Sequence, residues 1–284
     1  MVNQTSDKEN SEEYSLHLLL FLMCLFCKKY KGMRILHISD FHFEDKNLLE
    51  YTDMVKSLCE AVKDKSINII VFSGDLVYKA TKKEYYDKVN DLLWKPLLAA
   101  TGLSTNEILL VPGNHDVDRN VEISAITTSL QNCNSWDSLN SFLESDRQLD
   151  LSLERMKFYM DYVHDFYNGS TFEVAPFYVT NIIEIRGRKI GLVGLNSAWR
   201  CFRSDTDRGN LLLPKEAVLN SLSKVNDCDI VMCAMHHNLS DFKDFVTQDI
   251  EDLIYERCHL LLTGHYHKGH MSMHESKEIG LLHN

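Results

Sequence analysis

The stretch VPGNHDVDR, residues 111–119, joins an apolar segment directly to a run of polar side chains. Residues 108–111 are apolar and predict a buried strand, which stops at the turn formers Pro112 and Gly113. The next three side chains are an amide, an imidazole and a carboxylate, on Asn114, His115 and Asp116. Because such groups bind metal ions or move protons, this turn predicts a functional site at the end of a strand.

The segments around this turn alternate between strand and helix patterns from Met33 onward. Strands are predicted at residues 34–39, 67–72 and 107–111, with helices at 47–63 and 82–100. The later pattern predicts a hairpin at 177–186 and 189–196, a helix at 214–224 with Pro in its first turn, and strands at 229–235 and 259–263 with a helix between them. Strands separated by helices pair in parallel as βαβ units, so the fold class is α/β.

Residues 119–172 interrupt this alternation. Ser- and Asn-rich turns there lead into LSLERMKFYMDYVHDFY, in which aromatic residues recur at helical spacing. We interpret residues 119–172 as a helical cap inserted within one domain that spans residues 33–284.

Charge and cysteine content narrow the function class. The formal net charge of −11 argues against broad nucleic-acid binding, which requires a basic surface. Eight cysteines are scattered along the chain without the paired framework of small secreted domains. We therefore expect reduced thiols and a cytoplasmic protein.

The first 32 residues differ from the rest. Residues 16–27 form a largely apolar run that is shorter than the ~20 residues of a membrane-spanning helix. Acidic residues precede the run and no small-residue cleavage site follows it, unlike a signal peptide. We predict that residues 1–32 are a dispensable extension and that the chain does not insert stably into a membrane. A membrane-associated anchor through residues 16–27 is the alternative, in which the lysines that follow keep the domain cytoplasmic.

Five of the predicted strands are followed by residues of the types that bind metals. They are Asp40 and His42, Asp75, Asn114 and His115, His236 and His237, and His265 and His267. In open α/β sheets ligands bind beyond the carboxyl ends of the strands, so we expect these side chains to converge. Residues two apart in an extended segment face the same side, which places Asp40 beside His42. His265 and His267 repeat this spacing.

The chemistry of these residues predicts two divalent metal ions. Carboxylates, one amide and several imidazoles make a mixed nitrogen and oxygen ligand set, which suits Mn, Fe, Zn or Ni and lacks the thiolates of a structural zinc site. One ion cannot use so many ligands, whereas two ions sharing a carboxylate can. Two ions ~3.5–4 Å apart hold a bridging hydroxide and clamp an in-line displacement at phosphorus. Asn114 is then a ligand, and His115 is a proton donor to the leaving group.

Five motifs in this order, DxH, GD, GNHD, a histidine after a strand and GHxH, resemble those of the calcineurin-like metallophosphoesterase family. The resemblance extends from Met33 to the C-terminus. It implies an α/β fold of two mixed β-sheets packed as a sandwich and flanked by helices, here with the cap inserted.

The same resemblance implies a role for each motif residue. One metal is held by Asp40, His42 and His267, and the other by Asn114, His236 and His265. Asp75 bridges the two ions, and His115 is the general acid or stabilises the transition state. Manganese is the expected metal, with Fe, Zn or Ni as alternatives.

One departure from the family concerns the residue that orients His115. Related phosphatases often follow GD with Asp-Arg-Gly, whose carboxylate performs this task, but this chain reads GDLVYK from Gly74. The partner of His115 is therefore open. Asp116 is expected to support the site or to cap a helix rather than to bind metal.

Three further residues are candidate substrate contacts. Arg119, Asn196 and Arg200 offer donors to phosphate oxygens, and surface salt bridges are the alternative for the two arginines.

We predict a metal-dependent phosphoesterase whose substrate is a phosphodiester such as a nucleotide, rather than a phosphoprotein. Two alternatives stay open: a non-catalytic nucleotide-binding sensor module, which includes a fragment of a larger protein, and a metal-dependent nuclease. The acidic balance gives the nuclease little support. The sequence does not indicate the oligomeric state.

Overall fold

The computed structural model describes residues 19–25, 32–202, 204–266, 270–274 and 279–283, which form two β-sheets and their flanking helices. The first sheet contains β1 (Leu19–Leu25), β2 (Met33–Ser39), β3 (Ile69–Phe72) and β4 (Ile108–Leu110), in that order. β2, β3 and β4 are parallel, and β1 pairs antiparallel with β2 at the edge. The apolar run of the N-terminal extension thus contains a strand.

The second sheet is mixed. It contains β5 (Glu173–Ala175), β6 (Tyr178–Ile185), β7 (Arg188–Leu195), β8 (Ile230–Met235), β9 (Leu260–Thr263), β10 (His270–His274) and β11 (Ile279–His283). Its strand order is β10-β11-β9-β8-β7-β6-β5. β7, β8, β9 and β11 are parallel, whereas β5, β6 and β10 join antiparallel to their neighbours.

The helices outside the cap connect the strands. They are α1 (Leu48–Val62), α2 (Lys83–Val89), α3 (Lys95–Thr101), α8 (Ser204–Asp207), α9 (Lys215–Lys224) and α10 (Asp244–Arg257). No helix in the described part of the chain is both long and apolar enough to span a membrane.

The two sheets pack closely through their apolar faces. At Gly194 in β7, a side chain would lie 3.1 Å from Leu109 and 2.8 Å from Val111, so glycine allows β7 to approach β4. Leu109, Val111 and Gly194, which form this contact, are buried. The predicted sandwich of mixed sheets flanked by helices is confirmed.

The predicted cap is helical and packs on the first sheet. It consists of α4 (Ser124–Gln131), α5 (Trp136–Leu143), α6 (Asp146–Leu153) and α7 (Lys157–Phe166). The Tyr162 ring stacks on Tyr86 with the centroids 5.0 Å apart. The Tyr167 hydroxyl donates to Ile108 O and accepts from Leu110 N, both at 2.9 Å. The cap is therefore fixed to β4, the strand that leads into the GNHD turn.

Two helix predictions are wrong in detail. The helix predicted over residues 82–100 is divided by a π-helical turn at Asn90–Trp94, in which Lys95 N donates to Asn90 O. Pro96 follows at once and has no N–H to donate, which explains the break. Pro214 precedes its helix with an extended ψ of 125° rather than lying in the first turn.

Candidate metal centre

The turns that carry the candidate ligands have an unusual backbone. φ is 57° at Asp40, 48° at His42, 62° at Asp75 and 71° at His265. A non-glycine residue in this left-handed region costs about 1–3 kcal/mol and persists only where its surroundings hold it. Backbone hydrogen bonds supply part of that restraint, since Asp40 N donates to Gly74 O and His42 N donates to Asp75 O, both at 2.9 Å.

Asp116 joins the turn after β3 to the turn after β4. Its buried carboxylate accepts hydrogen bonds from four backbone amides and one hydroxyl, those of Asp75, Leu76, Val77, Gly113 and Tyr86. Burial and the Asp75 carboxylate raise the pKa of Asp116 to about 7. These bonds give Asp116 a supporting position rather than one facing the candidate ligands.

The ring of His236 is oriented so that its Nε2 can bind a cation. Its Nδ1 donates to the carbonyl of Ser73 at 2.7 Å, so Nε2 of the neutral ring carries a lone pair. That nitrogen lies 3.1 Å from Asn114 Oδ1 and 3.3 Å from Asp75 Oδ2. Three acceptors facing one another repel unless a proton or a metal ion lies between them. Burial alone would lower the pKa of His236, but the Asp75 carboxylate raises it to about 9.

Asp75 occupies the middle of the centre. Its Oδ2 lies 3.3 Å from His236 Nε2 on one side and 3.7 Å from His42 Nε2 on the other. His42 Nε2 is also 3.6 Å from Asp40 Oδ1. Although burial alone would raise it, the charge of His236 holds the pKa of Asp75 well below its usual range. The carboxylate is thus ionised between two groups of ligands.

His115 is oriented by a backbone carbonyl, which answers the question left open by the missing Asp-Arg-Gly. Its Nδ1 donates to Tyr78 O at 2.7 Å, and its amide N–H donates to Asp75 Oδ1 at 2.8 Å. The His115 and His42 ring centroids are 4.6 Å apart. Burial lowers the pKa of His115, so its ring is neutral in the free protein and Nε2 carries a lone pair.

Two more histidines lie beside His236. The His265 ring centroid is 5.1 Å from that of His236 and 4.8 Å from that of His237. His237 also contacts Ser197, whose hydroxyl is 3.0 Å from Nδ1, and Cys201, whose Sγ is 3.5 Å from Nε2. His267 lies outside the described residues.

The three candidate substrate contacts have different surroundings. Arg119 is exposed and its Nη2 donates to Asn114 O at 3.4 Å, which places it at the edge of the centre. Asn196 is buried within its own loop, where it donates to Pro176 O and accepts from two backbone amides, those of Ala198 and Trp199. Arg200 is buried beside Cys201.

The donor atoms fit two divalent cations. Three groups of side chains place their ligand atoms within 4.8 Å of one another: Asp40, Asp75 and His236; His42, Asp75 and His115; and His236, His237 and His265. Asp75 belongs to the first two groups and His236 to the first and third, which is the sharing that two adjacent ions require. The Nδ1 bond from His236 to a carbonyl is the usual support for a metal-binding histidine.

A family model for calcineurin-like phosphoesterases matches residues 33–269. The chain belongs to the calcineurin-like phosphoesterase family. It therefore carries a metallophosphoesterase domain, and the centre of that family takes two divalent metal ions. The sequence does not point to Ser73 or Tyr78, because each acts through its backbone carbonyl, a group that every residue has.

Individual relatives are distant. The chain is 23% identical over 249 residues to an uncharacterized metallophosphoesterase-like protein, YydB, of Bacillus subtilis, covering 83% of this chain and 49% of that protein. It thus spans about half the length of this curated relative. A dimetal phosphatase from Danio rerio superposes with a TM-score of 0.50 at 11% identity, covering 88% and 86% of the two chains, a likeness of fold. Phosphopantetheinyl hydrolase from Mycobacterium tuberculosis matches with a TM-score of 0.41 at 13% identity, covering 88% and 87%.

Proposed function

We propose that this chain is a hydrolase that cleaves phosphoester bonds with two divalent metal ions, and that its substrate is a phosphodiester such as a nucleotide. The observation that carries the proposal is the contact of His236 Nε2 with Asp75 and Asn114. Acceptors from three separate turns are held together there, and a cation satisfies all of them.

The metal ligands on this proposal follow the family order. Asp40, His42 and His267 hold one ion, Asn114, His236 and His265 hold the other, and Asp75 lies between them. When bound, the two ions supply a nucleophile at neutral pH and neutralise the phosphoryl oxygens. Manganese is the expected metal, with Fe, Zn or Ni as alternatives, because the ligand set mixes oxygen and imidazole donors and contains no thiolate.

His115 carries the proton of the reaction on this proposal. The bond from its Nδ1 to Tyr78 O points Nε2 toward the centre beside His42. The negative charge of a bound phosphoester favours the imidazolium, which opposes the effect of burial on the pKa of His115. Nε2 can then give its proton to the leaving oxygen. Arg119, at the edge of the centre, binds a phosphoryl oxygen.

The cap supports a small substrate rather than a protein. Asp118 N, just beyond the GNHD turn, donates to the carbonyl of Arg155 in the cap at 2.8 Å. The cap therefore borders the turn that carries Asn114 and His115. A site bordered by a cap favours a small substrate such as a nucleotide over a phosphorylated protein segment.

The test is hydrolysis of bis-p-nitrophenyl phosphate and of p-nitrophenyl phosphate by the chain loaded with Mn²⁺. We expect a higher kcat/KM for the diester. In His115→Ala, we expect kcat to fall about 10²–10⁴-fold with both metals retained. His164→Ala, at an exposed position on the cap, is the matched control and should match the wild type.

Other outcomes would redirect the proposal. Two metals per chain without turnover of either ester would favour the nucleotide-binding sensor module. Faster cleavage of DNA or RNA than of either ester would favour the nuclease. A chain that binds no metal would contradict the proposed centre altogether.

A further inference from the structure

Three buried cations lie near one another, at and beside the cap. Arg155 is in the cap, Arg200 is in the loop after β7, and Lys243 precedes α10; their exposed fractions are 9%, 4% and 7%. We call these three residues the cationic cluster. Burial lowers the pKa of the Arg155 guanidinium, and the charge of Arg200 lowers it further. The charge of Arg200 thus opposes that of Arg155, whereas the buried Asp207 carboxylate raises the pKa of both guanidiniums.

The two arginines are buried without full hydrogen bonding. Within the residues that the structure describes, Arg155 Nε, Arg155 Nη2 and Arg200 Nε have no hydrogen-bond partner. The charge of Asp207 acts on both guanidiniums, but no salt bridge joins either of them to a carboxylate in the same part of the chain. A buried guanidinium that lacks a partner is costly, because desolvation is not offset.

Lys243 differs from the arginines because its donors are used. Its Nζ donates to Gln131 O, Cys133 O and Asn134 Oδ1 at 2.6, 2.7 and 2.9 Å. All three acceptors are uncharged, so Lys243 adds positive charge to the cluster and fixes the cap. The two arginines, by contrast, have N–H donors that lack an acceptor among the described residues.

The cluster is adjacent to the metal centre. Cys201, the residue after Arg200, lies 3.5 Å from His237 Nε2, and His237 belongs to one of the metal-type groups. The Arg155 carbonyl accepts from Asp118 N in the segment that follows the GNHD turn. The backbone segments that carry Arg155 and Arg200 therefore border the metal centre.

We propose that Arg155 and Arg200 bind an oxyanion, the second phosphate group of a substrate whose scissile phosphate lies at the metals. Planar guanidinium groups match the oxygens of phosphate and donate paired hydrogen bonds to it. The assignment of this phosphate to a substrate rests on the proposed function, whereas oxyanion binding itself does not. The substrate class is thus a phosphoester with a second phosphate, such as a nucleotide phosphorylated at two positions.

Oxyanion binding is tested on the metal-free chain, in which phosphate has no metal to bind. We expect inorganic phosphate to raise the melting temperature saturably in the wild type and in the exposed-position control Arg147→Met. In Arg155→Met and Arg200→Met the phosphate response should be lost. Without phosphate these two variants should melt no lower than the wild type, since apolar groups of similar volume replace unpaired buried charges.

Arg155→Lys keeps the charge but loses the planar fork, so it should bind phosphate about 10-fold more weakly. A phosphate response that persists in Arg155→Met and Arg200→Met would overturn the proposal. So would a lower melting temperature of the phosphate-free methionine variants, because that result would make the arginines structural.

The substrate assignment uses a matched pair of esters with the Mn²⁺-loaded chain: the p-nitrophenyl ester of thymidine 3′-phosphate, with and without a 5′-phosphate. We expect the 5′-phosphate to lower KM about 10-fold in the wild type and not in Arg155→Met. Phosphate binding without this KM difference would mean that the arginines take free phosphate, which overturns the substrate assignment. Failure to hydrolyse either ester would contradict the proposed function and leave the binding result separate.

Discussion

The metal centre and the cationic cluster are both buried and charged, but their hydrogen bonding differs. In the metal centre Asp75 lies against His236, and the far nitrogen of His236 donates to the carbonyl of Ser73. In the cluster the charge of Asp207 acts on both guanidiniums, yet Arg155 and Arg200 keep donors without an acceptor among the described residues. In the metal centre a proton on His236 can take the place of a metal ion between the ligands. Nothing comparable takes the place of an oxyanion beside Arg155 and Arg200, whose donors stay unused among the described residues.

Removing the carboxylate at the middle of the metal centre should have the largest effect on metal binding and activity. In Asp75→Asn, a neutral amide replaces the carboxylate that lies 3.7 Å from His42 Nε2 and 3.3 Å from His236 Nε2. We expect loss of at least one metal per chain and a fall in kcat on the order of 10³-fold. Metal analysis and hydrolysis of bis-p-nitrophenyl phosphate measure both. Asp146→Asn, exposed on the cap, is the control, and a variant that keeps two metals and full activity would contradict the bridging position.

The frame of the metal centre is tested by Asp116→Asn. With its carbonyl oxygen kept toward Asp75 N and Gly113 N, the amide nitrogen of asparagine would face Val77 N–H, which now donates to the other carboxylate oxygen. We expect the free energy of unfolding to fall by about 3 kcal/mol, since this buried N–H loses its acceptor. Urea unfolding measures this as a lower midpoint with an unchanged slope. Asp150→Asn, at an exposed site, is the control and should leave the urea midpoint unchanged. An unchanged midpoint in Asp116→Asn would mean that the turns after β3 and β4 do not depend on the Asp116 carboxylate.

The metal centre could be predicted from sequence because its residues follow strand patterns directly. Asp40, Asp75 and Asn114 each lie within four residues of a predicted strand end, so parallel pairing brings them together. The sequence favours His236 over His237 because it directly continues the strand, and this stays a prediction, since both rings lie within one group of ligand atoms.

The rest depends on contacts that sequence patterns do not record. Tyr78 orients His115 through its carbonyl, a group that carries no residue-type signal. Arg155 is buried only because the cap docks on the GNHD turn, and its position in a helical segment predicts a solvent-exposed arginine equally well. The division of the 82–100 helix before Pro96 could have been inferred, since proline removes a hydrogen bond there.

Because a proton on His236 can take the place of a metal ion, we predict that the stability of the metal-free chain depends on pH. The pKa of His236 is about 9 in the fold and about 6.5 when unfolded, so its contribution to stability is complete below pH 6.5 and is lost as pH rises through 9. We expect the metal-free chain to lose about 3 kcal/mol of unfolding free energy across this window. Loading with Mn²⁺ should remove this loss and release a proton into solution below pH 9.

His236→Asn isolates this effect from other groups that titrate in the same range. The metal-free variant should lack the share of the pH dependence that His236 supplies, as measured by urea unfolding at pH 6.5 and pH 9. Equal pH dependence in the variant and the wild type would show that His236 is neutral in the metal-free chain. The acceptors around Nε2 would then have to be separated in another way.

The smallest effect concerns Asn196, which sequence reasoning made a substrate contact and the structure makes part of a loop. Its side chain accepts from the amides of Ala198 and Trp199 and donates to Pro176 O, and so shapes the loop that ends at Arg200. We expect Asn196→Ala to lower the free energy of unfolding by about 2 kcal/mol. KM should stay the same for the thymidine ester without a 5′-phosphate and rise for the ester with it, because Arg200 is less well placed. Asn140→Ala at an exposed site is the control. Equal increases in KM for both esters would return Asn196 to the metal centre as a contact of the scissile phosphate.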